Sequence, residues 1–123
     1  MLIDTILTQT IDRIQEADGG ITIDVTNGQE PSDGFVVAIA PERSVTLDVE
    51  DAREEDIETF LINNDDVLSE DGAHLGAWHD PATGIVHLDI SKVESDREVA
   101  LEIAEAADEI AIFDLSTFES VTV

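Results

Sequence analysis

The residues best suited to chemistry in this chain lie on either side of one tight turn. Two apolar, strand-like segments, 75–79 and 85–90, flank the sequence Asp-Pro-Ala-Thr-Gly at 80–84, in which proline favours the start of a turn and glycine its end. If 81–84 form the loop, Asp80 pairs with Ile85, and alternation along the strands fixes two faces. The predicted core face carries Leu75, Ala77, His79, Val86, Leu88 and Ile90. The opposite face carries His74, Gly76, Trp78, Asp80, His87 and Asp89.

That second face supports three interpretations. Imidazole and carboxylate groups on adjacent strands can share a metal ion, so His74, His87 and Asp89 are candidate metal ligands, or a histidine base oriented by a carboxylate. Alternatively the face is a protein contact formed by Trp78, His74, His87 and Asp80, because tryptophan is enriched at interface hot spots. The third interpretation is an ordinary half-exposed sheet surface, with Trp78 covering Gly76 and the histidines as plain strand residues.

Motifs of the common enzyme classes are missing from the sequence. It has no G-x-S-x-G nucleophile motif, no G-x-G-x-x-G fingerprint and no P-loop. Its lack of cysteine excludes thiolate chemistry and disulfides. The acidic segment 63–72 lacks EF-hand spacing, so Asp65, Asp66, Glu70 and Asp71 predict only diffuse association of K⁺ or Na⁺. We therefore expect no cofactor, and we favour a non-enzymatic role while leaving catalysis open.

The charge balance indicates where the protein works. Thirty acidic residues face five basic ones, for a formal net charge of −25, yet 42% of residues are hydrophobic. Such apolar content is typical of a folded chain rather than a disordered acidic tail. At about 1 M salt the Debye length falls to about 3 Å, so neighbouring surface carboxylates scarcely repel each other. An acidic surface with a single lysine, Lys92, is typical of proteins from haloarchaea, which keep molar salt in the cytoplasm.

The same composition limits the partners. Phosphate contact requires clustered lysine and arginine, so we expect no direct nucleic-acid binding. The sequence shows neither a signal peptide nor an apolar run near the ~18 residues of a membrane span. These features predict no membrane association and a high-salt cytoplasmic location, or a virion if the protein is viral.

Hydrophobic periodicity predicts the elements that position the hairpin. Apolar steps of three and four predict a helix over residues 2–17, a second begins after Asp51 with Ile57, Phe60 and Leu61 buried, and a capping box at 95–98 opens a third. In that third helix Val99, Ile103, Ala106 and Ala107 are expected to face inward. Besides the hairpin, strands are predicted over 21–25, 35–39, 45–49, 110–113 and 118–123. This order predicts an α+β fold: a mainly antiparallel sheet with about three helices on one face. We expect one domain over residues 1–123, and a subdivision near residues 65–72 is the weaker alternative.

The carboxy-terminal half also carries a recognisable pattern. Residues 76–89 read Gly-Ala-Trp-His-Asp-Pro-Ala-Thr-Gly-Ile-Val-His-Leu-Asp, a capped helix follows, and residues 110–115 read Ile-Ala-Ile-Phe-Asp-Leu. Residues 74–115 resemble a small uncharacterised module of tailed phages, prophages and haloarchaeal genomes, with a W-x-D-P-x-T-G-x-V-x-L-D hairpin, a capped helix and an I-A-I-F-D strand. The resemblance implies a connection with viruses or mobile elements, and it implies no activity.

Together these observations predict a non-enzymatic protein-binding or structural protein of a haloarchaeon or its virus, such as a virion or assembly component. A protein partner or self-association is expected. Two alternatives stay open. One is a small metal-dependent hydrolase that uses the face of His74, His87 and Asp89. The other is an acidic decoy that mimics DNA, which would need carboxylates spaced like phosphates along one face.

Overall fold

Helices and strands follow one another in the predicted order, with one short helix added. The structure, a computed structural model, describes residues 2–123, except for the side chain of Leu2. Its helices are α1 (Leu2–Ile14), α2 (Glu54–Asn63), α3 (Asp65–Leu68) and α4 (Arg97–Ala106). Its strands are β1 (Gly20–Ile23), β2 (Phe35–Ile39), β3 (Val45–Asp48), β4 (Ala73–Asp80), β5 (Ile85–Glu94), β6 (Ala111–Asp114) and β7 (Glu119–Thr122). The added helix, α3, lies within the segment expected to be a loop.

All seven strands form one antiparallel sheet: six follow the order β1-β4-β5-β2-β6-β7, and β3 pairs with β5 outside this row. The long strand β5 divides one of its edges between two partners: β3 pairs with residues 85–88, and β2 pairs with residues 90–94. A 3₁₀ turn at Pro41–Arg43 separates β2 from β3. Strands that precede residues 65–72 are therefore interleaved in the sheet with strands that follow them.

Helices cover one face of this sheet, as the α+β prediction requires. Helices α1 and α2 pack with the core-facing side chains of β1, β4 and β5, and Ile14, Ile23, Ile57, Leu75 and Leu88 are fully buried there. Helix α4 lies against β2 and β6, where Ala100 and Ala104 meet Val37 and Ile112. Cross-strand pairs point to the same side of a sheet, and the registers place the inward residues of all these strands on one side. The structure is thus α+β, with an antiparallel sheet and three helices of ten or more residues packed against it.

Helix α4 shows two local departures from the expectation. Its N-cap is Asp96 rather than Ser95, because the Asp96 carboxylate accepts hydrogen bonds from the backbone N–H groups of Glu98 and Val99 at 2.8 and 3.3 Å. The buried stripe is rotated by one residue, so Ala100 and Ala104 face the sheet while Val99 is exposed. Ala106, also expected inward, is exposed. Small alanine side chains let the helix approach the sheet closely, which the larger Val99 would prevent.

The ends of other elements also differ from the prediction; β1 ends at Ile23 rather than residue 25, for example, and β5 continues to Glu94 rather than ending at residue 90. Ile110, expected in a buried strand, is 84% exposed and precedes β6. Helix α1 ends at Ile14 rather than near residue 17, and the chain continues in turns: the N–H of Glu16 bonds to the carbonyl of Arg13, and Asp18 has a φ of +65°. Within residues 2–123, no helix combines the length and the apolar character that crossing a membrane would require.

Candidate functional site

The hairpin of β4 and β5 has the register that its turn sequence predicts. Asp80 pairs with Ile85, and Trp78 pairs with His87. Asp80 holds the turn itself, because its Oδ1 accepts the backbone N–H of Ala82 at 2.9 Å. The carboxylate of Asp80 therefore serves the turn rather than the face where we expected a contact residue.

The two faces of the hairpin separate as predicted. Leu75, Val86, Leu88 and Ile90 are fully buried against the helices. His79 joins them, and its Nδ1 donates to the carbonyl of Ile14 at the end of α1, at 2.9 Å. His79 is therefore a satisfied core histidine that ties α1 to β4.

The opposite face of the sheet contains an open groove of about 730 Å³. Its floor is made by small side chains of four strands, Gly20, Thr22, Gly76, Ala38 and Ser91 among them. The connection from β1 to β2 must pass β4 and β5, and its residues Glu30 and Pro31 line one side. We call this site, on the sheet face away from the helices, the open groove.

A largely buried carboxylate lies in the floor of the open groove. Asp89 pairs across the strands with Gly76, where a Cβ would collide with Oδ1 of Asp89. The hydroxyl of Ser91 donates to that Oδ1 at 3.0 Å. Burial raises the pKa of Asp89, against the opposing effects of the Ser91 hydrogen bond and the nearby His87. Glycine at position 76 thus makes room for an acid that the sheet desolvates.

Negative charge extends beyond this carboxylate. Burial, followed by the charges of Asp89 and Asp108, raises the pKa of Glu109 in the loop before β6. Asp18 and Glu30 also line the open groove, and Arg13 is its basic residue. The guanidinium of Arg13 donates to Glu30 Oε2 at 2.8 Å and to the carbonyl of Gly20 at 3.2 Å. The positive charge of Arg13 is therefore paired with Glu30 at the rim of the open groove and does not neutralise Asp89.

One wall of the open groove is a fixed indole. Trp78 is 42% exposed, and its Nε1 donates to Oδ1 of Asp18 at 2.9 Å. Its ring stacks on the imidazole of His87, with centroids 5.8 Å apart and planes 25° apart. The indole lies beside Gly20, and the space above Gly76 is taken by Asp89, so the expectation that Trp78 covers Gly76 was wrong.

The opposite wall ends in an exposed phenylalanine. Phe118, in the turn between β6 and β7, is 76% exposed and has a φ of +58°. Its ring meets Phe113 edge to face at 6.4 Å. A positive φ is strained for a bulky side chain, so this turn keeps an apolar ring in solvent against its backbone preference.

The other candidate residues do not converge. His74 pairs with Ser91 at the far end of the hairpin, where its Nδ1 donates to the carbonyl of Gly72 at 2.7 Å. It is buried, and it lies four residues, or about 13 Å, along the strand from the position of Trp78 and His87. Across the part of the chain that the structure describes, no three histidine or acidic side chains are grouped as metal ligands. The proposed ligand set of His74, His87 and Asp89 is therefore spread along the sheet.

The acidic segment before β4 has a structural role at one point. Asp66 in α3 receives both terminal nitrogens of Arg43, at 2.8 and 3.0 Å, and this contact lowers the pKa of Asp66. The Oδ1 of Asn64 accepts a longer bond from the same arginine at 3.3 Å. Arg43 thus fastens the turn after β2 to the end of α2.

Sequence reasoning found the indole and missed the groove around it. Asp89 was assigned to this face, but its burial depends on Gly76 and Ser91, which only the strand pairing identifies. Phe118 was missed because it was predicted as the first residue of the strand 118–123, whereas β7 begins at Glu119 and Phe118 lies in the turn before it. The signal for its conformation, a positive φ in a non-glycine residue, does not exist in the sequence.

The chain was compared with protein-family models, with curated proteins and with solved structures, and none of the three comparisons gave a match. The site is therefore interpreted from its own geometry.

Proposed function

We propose that this chain is a non-enzymatic protein-binding module that docks a partner protein on the open groove. The observation that supports this most strongly is a sheet face that no helix within residues 2–123 covers, with an exposed aromatic ring on each side: Trp78 and Phe118. Clustered apolar surface exposed on a charged protein marks interaction sites. The setting proposed with it is the molar-salt cytoplasm of a haloarchaeon, or a virion assembled there.

Trp78 has the properties of an interface anchor. Its indole is held by Asp18 and by the stacked His87 before any partner arrives. Fixing a side chain in advance lowers the entropy that binding must overcome, and tryptophan is among the residues that contribute most to interface energy. An exposed residue with no binding role would not need this support.

Phe118 supports the same function through its strain. A residue held in a sparsely populated backbone region costs about 1–3 kcal/mol, and the edge contact with Phe113 returns about 0.5–1.5 kcal/mol. Folding therefore gains little from Phe118. A partner that covers the exposed ring of Phe118 buries apolar surface that the isolated chain leaves in solvent, and this accounts for a phenylalanine at a strained position.

The alternatives receive less support from the geometry. The hydroxyl of Ser91 is hydrogen-bonded to Asp89, and His87, close to Asp89, is stacked on Trp78. These three side chains therefore do not form a line of nucleophile, histidine and carboxylate. A DNA mimic would need a regular row of carboxylates, whereas the open groove carries aromatic and small side chains.

Three variants test the proposal, with capture of host proteins at 3 M KCl followed by quantitative affinity measurement on the captured partner. Trp78→Ala should weaken binding at least ten-fold, a change of about 1.4 kcal/mol that hot spots readily exceed. Phe118→Gly should also weaken binding but keep or raise the stability of the fold, because glycine tolerates a positive φ. Ile62→Ala is the matched control, since Ile62 is 66% exposed on α2, away from the open groove.

The outcome separates binding from folding. Circular dichroism and urea unfolding of each variant report the fold, and the affinity reports the surface. If Ile62→Ala lowers the affinity as much as Trp78→Ala and Phe118→Gly do, the open groove is not the docking surface.

A further inference from the structure

We propose that the open groove recognises an arginine of the partner protein, whose guanidinium lies beside Trp78 and pairs with Asp89. This rests on the proposed function and names the chemistry that the groove selects.

Within residues 2–123, only one of the two carboxylate oxygens of Asp89 accepts a hydrogen bond. Its Oδ1 receives the hydroxyl of Ser91 at 3.0 Å, while within residues 2–123 no hydrogen bond to its Oδ2 is found. The carboxylate lines the open groove, so its free side faces the space that a ligand would fill. The Oδ2 atom is not among the buried unpartnered oxygens of residues 2–123, so a donor in the open groove can reach it, and its partial desolvation favours pairing with a cation.

Within residues 2–123, no lysine or arginine is paired with Asp89. Lys92 lies opposite the buried Val37, on the side of the sheet that the helices cover, and Arg97 begins α4. Arg13, at the rim, donates to Glu30 and Gly20, and Arg43 donates to Asp66. Arg53 donates to the carbonyls of Glu50 and Ala52. We therefore expect the cation to come from a partner. A second copy carries only five basic residues against thirty acidic ones, so charge complementarity to Asp89 favours a partner of different sequence that presents a basic side chain.

The walls favour arginine over lysine or a free metal cation. Trp78 and Asp89 are diagonal neighbours across the strand pair, about 7–8 Å apart, which one guanidinium can bridge. Guanidinium is planar and weakly hydrated, stacks on aromatic rings and donates in a fork that matches a carboxylate. An ammonium group or a potassium ion can approach the carboxylate but cannot use the indole in the same way.

Burial makes this contact suitable for molar salt. Exposed ion pairs are strongly screened there, whereas a partly buried pair is screened much less. The acids on the outer surface therefore add little recognition in brine. The sheltered carboxylate of Asp89 keeps its attraction for a cation that enters the open groove.

The test uses N-acetyl-arginine amide as the probe and its neutral analogue N-acetyl-citrulline amide as the matched control. Both are titrated into ¹⁵N-labelled protein at 3 M KCl, and amide and indole resonances are followed by NMR. The arginine probe should shift Gly76, Asp89, Ser91 and the Trp78 indole N–H. The citrulline probe should bind about ten-fold more weakly, because a hydrogen bond to a charged group contributes more than one to a neutral donor.

Variants of the protein show which residues bind the arginine probe. Asp89→Asn should weaken the arginine probe about ten-fold or more, while Asp48→Asn removes an exposed charge on β3 and should leave affinity unchanged. Gly76→Ala displaces the carboxylate without removing it and should also weaken binding, which keeps the test decisive if Asp89→Asn misfolds. Equal binding of both probes, or arginine binding that survives Asp89→Asn and Gly76→Ala, overturns the inference.

These results are distinguishable from failure of the docking proposal. If the partner is lost in Trp78→Ala but the arginine probe never binds, the docking surface stands and the arginine assignment fails. If the probe binds through Asp89 while Trp78→Ala and Phe118→Gly keep full partner affinity, docking on the open groove fails and the cation site stands.

Discussion

Gly76→Ala should destabilise the protein because the new methyl group displaces the side chain of Asp89. The added Cβ would collide with Oδ1 of Asp89 and would lie 3.2 Å from Oγ of Ser91. The obstacle is the end of a flexible side chain, so the carboxylate can rotate away. In doing so it loses the hydrogen bond from Ser91 at 3.0 Å.

The magnitude follows from two opposing effects. Loss of a hydrogen bond to a charged acceptor costs about 1.5–3 kcal/mol. Replacing glycine by alanine in a strand returns about 0.5–1 kcal/mol, since the unfolded chain loses freedom. The expected net destabilisation by Gly76→Ala is therefore about 0.5–2.5 kcal/mol.

A double-mutant cycle makes the reasoning specific. In the Asp89→Ala background no carboxylate opposes the new methyl group, so Gly76→Ala should stabilise the protein by about 0.5–1 kcal/mol. Urea unfolding at constant 3 M KCl, followed by circular dichroism, measures all four proteins. If Gly76→Ala changes the free energy of unfolding equally in both backgrounds, the glycine is not there to admit Asp89, and the account of the floor is wrong.

Three further perturbations have expected outcomes. Asp96→Ala should lower the free energy of unfolding by about 1 kcal/mol through loss of the α4 N-cap, whereas Ser95→Ala should leave it nearly unchanged; urea unfolding compares them. Burial raises the pKa of Asp89 in the folded state, so its ¹³C carboxyl titration should have a midpoint above the ordinary aspartate value. The native state then binds the proton more tightly than the unfolded chain, so wild type should gain stability relative to Asp89→Asn as pH falls through that raised pKa; a difference independent of pH would contradict this. Lowering KCl to 50 mM should unfold the protein, because unscreened repulsion accompanies a charge of −25; a stable circular dichroism spectrum at 50 mM would exclude haloadaptation.

Local signals predicted the elements well. Strand β2 matches its prediction at both ends because 35–39 is an uninterrupted apolar run between a glycine and a proline-containing turn. The hairpin register follows from its loop length, which proline and glycine define. The inward face of α4 could not be placed to the residue, since Val99, Ile103 and Ala107 form one apolar stripe and Ala100 and Ala104 form a neighbouring one.

Local sequence patterns could not predict the order of the strands in the sheet. Consecutive strands usually lie side by side, yet β1 is separated from β2 by the whole β4–β5 hairpin. That separation sends Glu30 and Pro31 past the open groove. It also brings Phe113 and Phe118, distant in sequence from Trp78, to the other side of the same surface. The site is therefore a product of long-range pairing, and the sequence revealed only the strand pair at its centre.

The acidic surface and the open groove impose opposite demands on association. In dilute salt, a charge of −25 keeps copies apart, but molar salt removes that barrier and leaves the aromatic walls free to join any apolar surface. Asp89 restricts this choice, because an apolar partner that covered it would bury an unpaired carboxylate at a cost of several kcal/mol. Specificity gained by penalising the wrong partner is effective where attraction between exposed charges is weak. Asp89 in the floor thus limits which partners can bind, an effect that the screened acids of the outer surface do not have. It makes the open groove unfavourable to a surface that lacks a matching cation.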